Sequence, residues 1–365
     1  MTIAVLVIVA FFLIVFVFVQ QPKFGKLPSG KRLGLIKQSP NYQNGSFQNV
    51  SNTPSLTEGA SFFGVLKEFM FGASKRRKPI DKIPTQKTDL LSLSPDKNVL
   101  VWFGHSSYFL QVDGKKILMD PVFSGAASPI RSTTRAFNGA DAYSVDDLPE
   151  IDYLFLSHDH WDHLDYDTIL KLKGKVKRVV TALGVGAHLE LWGYDKDRII
   201  EKGWNEEVKL GNDFTVNTTT ARHFSGRGFR RNRSLWTSFV LKTPTMNLFM
   251  GGDSGYDVHF KTIGEQFGPF DIAIMECGQY NKSWKYIHMM PEEVVQAGQE
   301  LKAKAIIPVH WGKFALANHD WDDSIKRVTK KALAENVCLI TPMIGEEVDL
   351  KDTTKTYAAW WEKVQ

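Results

Sequence analysis

Apolar positions divide the chain into three stretches. Residues 3–19 are seventeen consecutive apolar residues without a charge, glycine or proline. A helix of that length spans roughly 25 Å, near the lower limit for a hydrocarbon core, and it is apolar on every side instead of amphipathic. No basic residue precedes the run and no small-residue cleavage site follows it, which argues against a signal peptide. The pattern predicts an uncleaved transmembrane anchor over residues 1–20. Lys23, Lys26, Lys31 and Arg32 all follow the run, so the positive-inside rule predicts a single-pass cell-membrane protein with its catalytic domain cytoplasmic.

Residues 21–97 are rich in Ser, Asn, Pro, Gly and Lys and have few apolar runs, the pattern of a basic, partly ordered linker. It contains one short helical stretch, 61–71, and the basic run Lys75-Arg76-Arg77-Lys78. That run reads either as a solvated charge cluster or as a site of attraction to anionic lipid headgroups.

From residue 98 to the C-terminus the pattern becomes that of a folded domain. Strand-like runs at 99–103, 108–112 and 116–119 flank turn signals, with Asp113-Gly114 as a hairpin candidate. Strands at 153–156 and 176–181 alternate with helices at 166–172 and 185–192. A second set repeats the succession: strands at 214–219, 238–241 and 248–250, a helix near 257–266, then a strand at 271–275. A helix at 291–301 opens on a proline and precedes a strand at 305–309 and a helix at 323–334. Two successions of strands followed by strand–helix units predict an α/β fold, a four-layer αββα sandwich with two sheets inside and helices outside.

Composition trims the options. With 43% apolar and 23% charged residues the chain is neither disordered nor fibrous. Cys277 and Cys338 are too few for a disulfide framework and too far apart for a zinc cage. The net charge of +5 is unevenly placed: residues 1–99 hold 13 basic and 5 acidic residues, the rest 32 and 35. The domain is therefore slightly acidic and has no basic arm for nucleic acid.

One segment dominates the chemistry: Ser157-His158-Asp159-His160-Trp161-Asp162-His163-Leu164-Asp165. It lies between a buried strand and a helix, at the strand end where α/β folds place ligands. Three imidazoles and three carboxylates crowded into eight residues call for a cation. His158 and His160 alternate and can point to one metal, while Asp162 and His163 lie one turn further on and can serve a second. Imidazole with carboxylate suits zinc, iron or manganese better than magnesium or calcium. His223, Asp253 and His310 each stand at the end of an apolar strand, Asp253 among glycines that permit close backbone approach.

These residues resemble the signature of the metallo-β-lactamase superfamily, over about residues 99–350. The motifs around His105, Asp120, Ser157 and Asp271, and the run His310-Trp-Gly-Lys-Phe-Ala-Leu-Ala-Asn318, resemble one branch more closely. That branch comprises the N-acyl-phosphatidylethanolamine-hydrolysing phospholipase D and its bacterial relatives. The resemblance implies one metal on His158, His160 and His223, another on Asp162, His163 and His310, and Asp253 bridging both. Two divalent ions about 3.5–4 Å apart, zinc foremost with manganese or iron as alternatives, would supply a bridging hydroxide. Asp162, Asp253 and His288 are then the catalytic candidates, Asp162 taking or giving a proton and His288 facing the substrate. His105 and Asp120 orient ligands from behind. The stretch 277–284 is shorter than in the animal phospholipase, where that region forms part of the substrate cavity. His188, His259 and His319 match no family position and read as surface or core histidines.

The expected function is a membrane-anchored, dinuclear-metal phosphodiesterase that hydrolyses a phospholipid. The alternative is a metal-dependent hydrolase of a soluble ester, lactone or amide. Expected partners are the lipid or other small-molecule substrate, the membrane, no nucleic acid, and a second copy of the chain, since the branch often forms dimers.

Overall fold

The computed structural model describes residues 2–211 and 213–365. Its first helix, α1 (Thr2–Val19), covers the apolar run. Among the described residues no helix is long and apolar enough to cross a membrane. The expected transmembrane anchor, and with it the single-pass placement at the cell membrane, is thereby corrected. The 18 residues of α1 rise about 27 Å, less than the roughly 30 Å of a hydrocarbon core. The last turn of α1 is instead engaged with protein. Phe18 packs edge-on against Phe24 with ring centroids 5.3 Å apart, and Phe24 packs likewise on Trp161 at 5.1 Å.

The stretch after α1 is laid over the domain surface. It holds helix α2 (Gly30–Ile36), a two-residue-per-strand hairpin of β1 (Tyr42–Gln43) and β2 (Ser46–Phe47), and helix α3 (Phe62–Lys67), which runs on into a π-helical turn. Polar contacts fasten it at intervals. Arg32 reaches Glu190 and Glu201, both at 2.6 Å. Thr57 donates to the Lys282 carbonyl at 2.5 Å, and Arg76 pairs with Asp320 and Asp322 at 2.7 and 2.8 Å. One member of the basic run is thus committed to intramolecular ion pairs.

The domain contains two mixed sheets. Strands β3 (Val99–Trp102), β4 (Tyr108–Val112), β5 (Lys115–Met119), β6 (Ile151–Leu156), β7 (Val176–Ala182) and β8 (Ile199–Lys202) form the first in chain order. The second runs from β9 (Glu207–Gly211) through β10 (Phe214–Thr219), β11 (Ser238–Lys242), β12 (Asn247–Met250) and β13 (Phe270–Glu276) to β14 (Ala303–Val309). The short β15 (Glu347–Asp349) returns to close the first sheet beside β3. Each sheet begins antiparallel and becomes parallel, at β5–β6 and at β12–β13. Parallel neighbours need crossovers, supplied after β6, β7, β12 and β13 by α4 (Tyr166–Leu172), α5 (Gly186–Leu191), α6 (His259–Phe267) and α7 (Pro291–Glu300) and between β5 and β6 by the long loop 120–150, with α8 (Asp323–Ala334) following β14. Asp113-Gly114 does turn the β4–β5 hairpin, with φ of 45° and 73°, the paired left-handed geometry that a two-residue turn requires.

Strand alternation explains the layering. Leu100, Trp102, Leu110, Ile117, Met119 and Phe155 face the second sheet, where Phe155 meets Phe239 with ring centroids 5.0 Å apart. Val101, Phe109, Leu118, Leu154 and Leu156 face the other way, toward Ile169, Leu172 and Leu189 of α4 and α5. Both faces of the sheet are buried, as parallel strands require. The C-terminal ends of β6, β10, β12 and β14 consequently open on one edge of the sandwich.

Candidate metal centre

The dense motif leaves the end of β6 and folds into a tight turn, with the Leu164 amide donating to the His160 carbonyl at 2.8 Å, before α4 begins. His223 follows β10, Asp253 follows β12 and His310 follows β14. Two glycines let these loops meet. A Cβ at Gly252 would lie 2.6 Å from the Thr237 carbonyl oxygen, and one at Gly278 only 1.6 Å from that of His310. Three site residues hold left-handed backbone: His105 (φ 54°), Asp120 (40°) and His310 (70°). Non-glycine residues adopt that region at a cost of about 1–3 kcal/mol each and keep it where the surroundings over-determine them.

All ten residues named from the sequence gather at this edge. Ligand-capable atoms of His158, His160, His223 and Asp253 lie within 4.8 Å of one another, as do those of His105, Asp162, His163 and His310. A third group joins Asp253, His288 and His310. Asp253 stands between the first two groups. Its Oδ2 is 3.1 Å from His163 Nε2, 3.7 Å from His223 Nε2 and 3.9 Å from His158 Nε2, and its Oδ1 is 3.2 Å from His310 Nδ1. Asp120 accepts from the Ser157 amide and hydroxyl at 2.8 and 2.5 Å and holds His163 Nδ1 at 2.8 Å, fixing that ring from behind. His105 Nε2 meets Asp162 Oδ2 at 2.8 Å.

The electrostatics suit a cation. Burial, reinforced by neighbouring imidazoles, pushes His158 well below the ordinary imidazole value. Burial likewise lowers His223 and His310 well below it, against the pull of Asp253, and takes His160 to about 4. These rings are neutral donors at neutral pH. Burial opposes ionisation of Asp162 and Asp253, yet His163 beside them holds both carboxyls well below the usual range. Those four neutral imidazoles and the ionised carboxylates are donors a divalent metal can take, while against burial Asp253 and Asp162 hold His163 well above the ordinary imidazole value, a positive charge among the same carboxylates. Buried atoms without a hydrogen-bond partner point the same way: His160 Nε2, His310 Nε2 and Asp253 Oδ1. The residues present therefore fit a metal site.

Other residues of the site were not singled out from the sequence. Asn49 brackets His223, donating to its carbonyl at 2.7 Å and accepting from its amide at 3.1 Å. Ser106 Oγ meets His310 Nδ1 at 2.7 Å. Glu276, buried at the end of β13, accepts from the Met289 amide at 2.8 Å and lies 3.5 Å from His288 Nδ1. Arg227 donates to the carbonyls of Asp159 (2.9 Å) and Leu164 (2.6 Å), spanning the metal loop, and its guanidinium lies 3.9 Å from the Trp161 ring centroid. Burial takes Arg227 down to about 10. His188, read as a bystander, is buried with Nε2 3.2 Å from Asp159 Oδ2, and accepts at Nδ1 from the Lys26 amide at 2.9 Å. His259 is buried and His319 half-buried.

A cavity of about 450 Å³ opens onto both groups. The N-terminal stretch supplies one wall, Leu56, Val65 and Phe69, and Trp284, Ile287 and Leu316 supply another.

Comparison with known proteins places this arrangement. The model of the beta-lactamase superfamily domain matches residues 115–311. An uncharacterised protein of Mycobacterium tuberculosis is 35% identical over 329 residues, 89% of this chain and 88% of its own length. N-acyl-phosphatidylethanolamine-hydrolyzing phospholipase D 1 of Caenorhabditis elegans is 29% identical over 320 residues, 80% of this chain and 84% of its own. Among solved structures, a metallo hydrolase from the archaeon Ignicoccus hospitalis superposes with a TM-score of 0.53 at 20% identity. The match covers 69% of this chain and 97% of that one, a likeness of fold.

Proposed function

This chain belongs to the beta-lactamase superfamily and is a metal-dependent hydrolase, and from that premise we propose that it is a dinuclear phosphodiesterase. Its proposed substrate is a phospholipid of the N-acyl-phosphatidylethanolamine type, cut on the headgroup side of the phosphate. The observation that carries this reading is the position of Asp253, one carboxylate within 3.9 Å of histidines from both ligand groups. In this reading His158, His160 and His223 hold one ion, Asp162, His163 and His310 the other, and Asp253 both. Zinc suits the histidine-rich set best, with manganese or iron as alternatives. Bound, the ions would acidify a water and polarise a phosphoryl oxygen.

The chain's own groups would do the rest. Asp162 has one oxygen held by His105 at 2.8 Å, which leaves the other to take or give a proton as the leaving alcohol departs. His288 borders the cavity with Glu276 behind it, an arrangement that would orient its ring toward a substrate oxygen. The apolar cavity walls suit a substrate with hydrocarbon attached. The similarity to the nematode phospholipase D supports a lipid substrate over a soluble one.

Lipid mass spectrometry after incubating metal-loaded protein with mixed phospholipids tests the assignment. Release of phosphatidic acid together with an N-acylethanolamine from the N-acyl-phosphatidylethanolamine in the mixture is expected. An unchanged lipid pool beside turnover of a soluble ester, lactone or amide would overturn it in favour of carbonyl chemistry at the same site.

A further inference from the structure

Of the described side chains of α1, those of Val15, Phe18 and Val19 are half-buried and the rest are exposed. Positions 15, 18 and 19 are spaced i, i+3, i+4 and so form one helical face. That face borders a second groove of about 480 Å³. Phe24, Trp161 and Phe229 line it further, and His160 and Asp162 stand at its inner end, where they also border the first cavity. The ligand groups therefore sit at the junction of two grooves. Arg231 lines both, with its guanidinium 4.8 Å from the Phe224 ring centroid and no ion pair among the described residues.

We infer that the second groove receives a hydrocarbon arm of the substrate, and that the last turn of α1 sets how long an arm is preferred. The inference rests on the phosphodiesterase reading. A phosphodiester carries one negative charge and two ester substituents. With its phosphorus beside His160 and Asp162, the substituents leave in different directions, one toward each groove. Arg231 at the junction faces the charge. The groove walled by Val15, Phe18 and Phe24 offers hydrocarbon contact and no carboxylate apart from Asp162 at its inner end. An alkyl chain laid there removes apolar surface from water on both sides, so each added methylene strengthens binding until the wall ends. The apolar helix thus acts as a groove wall over its last turn.

A series of p-nitrophenyl alkyl phosphates from ethyl to octyl, kept below micelle formation, tests this with metal-loaded full chain by p-nitrophenolate release. For the wild type kcat/KM should rise about tenfold or more from ethyl to octyl. Phe18→Ser should cut the octyl-to-ethyl ratio about fivefold, chiefly through KM, and Val15→Ser, the milder change, about threefold. Leu6→Ser, on the exposed part of α1, should leave the ratio unchanged. An unchanged ratio in folded Val15→Ser and Phe18→Ser, or an equal fall in Leu6→Ser, would overturn the inference alone. Release from no ester in the series by wild type would overturn the phosphodiesterase reading and the inference with it.

Discussion

The metal edge and the N-terminal stretch are joined to the same sandwich in opposite ways. At the edge, the ligand atoms come from loops at four strand ends, with His310 in left-handed backbone, His163 braced by Asp120, His310 by Ser106 and Asp162 by His105. The N-terminal stretch spreads its attachment thinly, through ion pairs at Arg32 and Arg76 and side-chain hydrogen bonds at Asn49 and Thr57 many residues apart. A densely braced site loses much when one brace goes, because the remaining buried groups are left unpaired. A strap held at scattered points loses little at each.

Arg227 belongs to both regions, since it clamps the metal loop and also donates from Nε to the Lys23 carbonyl at 3.0 Å. Arg227→Ala should therefore behave as an edge variant, weakening metal affinity about 10–100-fold, as loss of a group that orients ligands does. Competition with a chelator measures this. Affinity within twofold of wild type would place Arg227 with the strap. The smallest effect is expected at Arg32, 18% exposed and bonded to Glu190 and Glu201. Arg32→Ala should lower unfolding free energy by about 1 kcal/mol while leaving metal affinity unchanged. Denaturant unfolding reads the first and the chelator assay the second, and a fall in metal affinity would join the strap to the site energetically.

The same contrast governs what can be read from the chain without coordinates. His158 to Asp165 compress six chemistry-bearing residues into eight positions, so local spacing alone brings them together, and the apolar runs before His223, Asp253 and His310 put those residues at strand ends. Asn49 gave no such signal, because it sits in a polar stretch where nothing marks one asparagine from the next. Arg227 and Glu276 lacked one too, since Arg227 meets backbone atoms of loops distant in sequence and Glu276 reaches His288 and the Met289 amide only through the fold. The fate of α1 was illegible for another reason. When every position is apolar there is no periodicity, so the face at 15, 18 and 19 cannot be told from the others. A run of this length stands at the margin between a span and a short helix, and only the packing of Phe18 on Phe24 and of Phe24 on Trp161 shows where its end goes.

Metal content per chain tests the central claim most directly, since that claim is that one carboxylate joins two ligand groups. Elemental analysis of full-length protein purified without chelator should find about two divalent ions per chain, and Asp253→Ala protein should retain well under one together with no hydrolase activity. A single equivalent in the wild type, or two retained by the Asp253→Ala variant, would contradict the account.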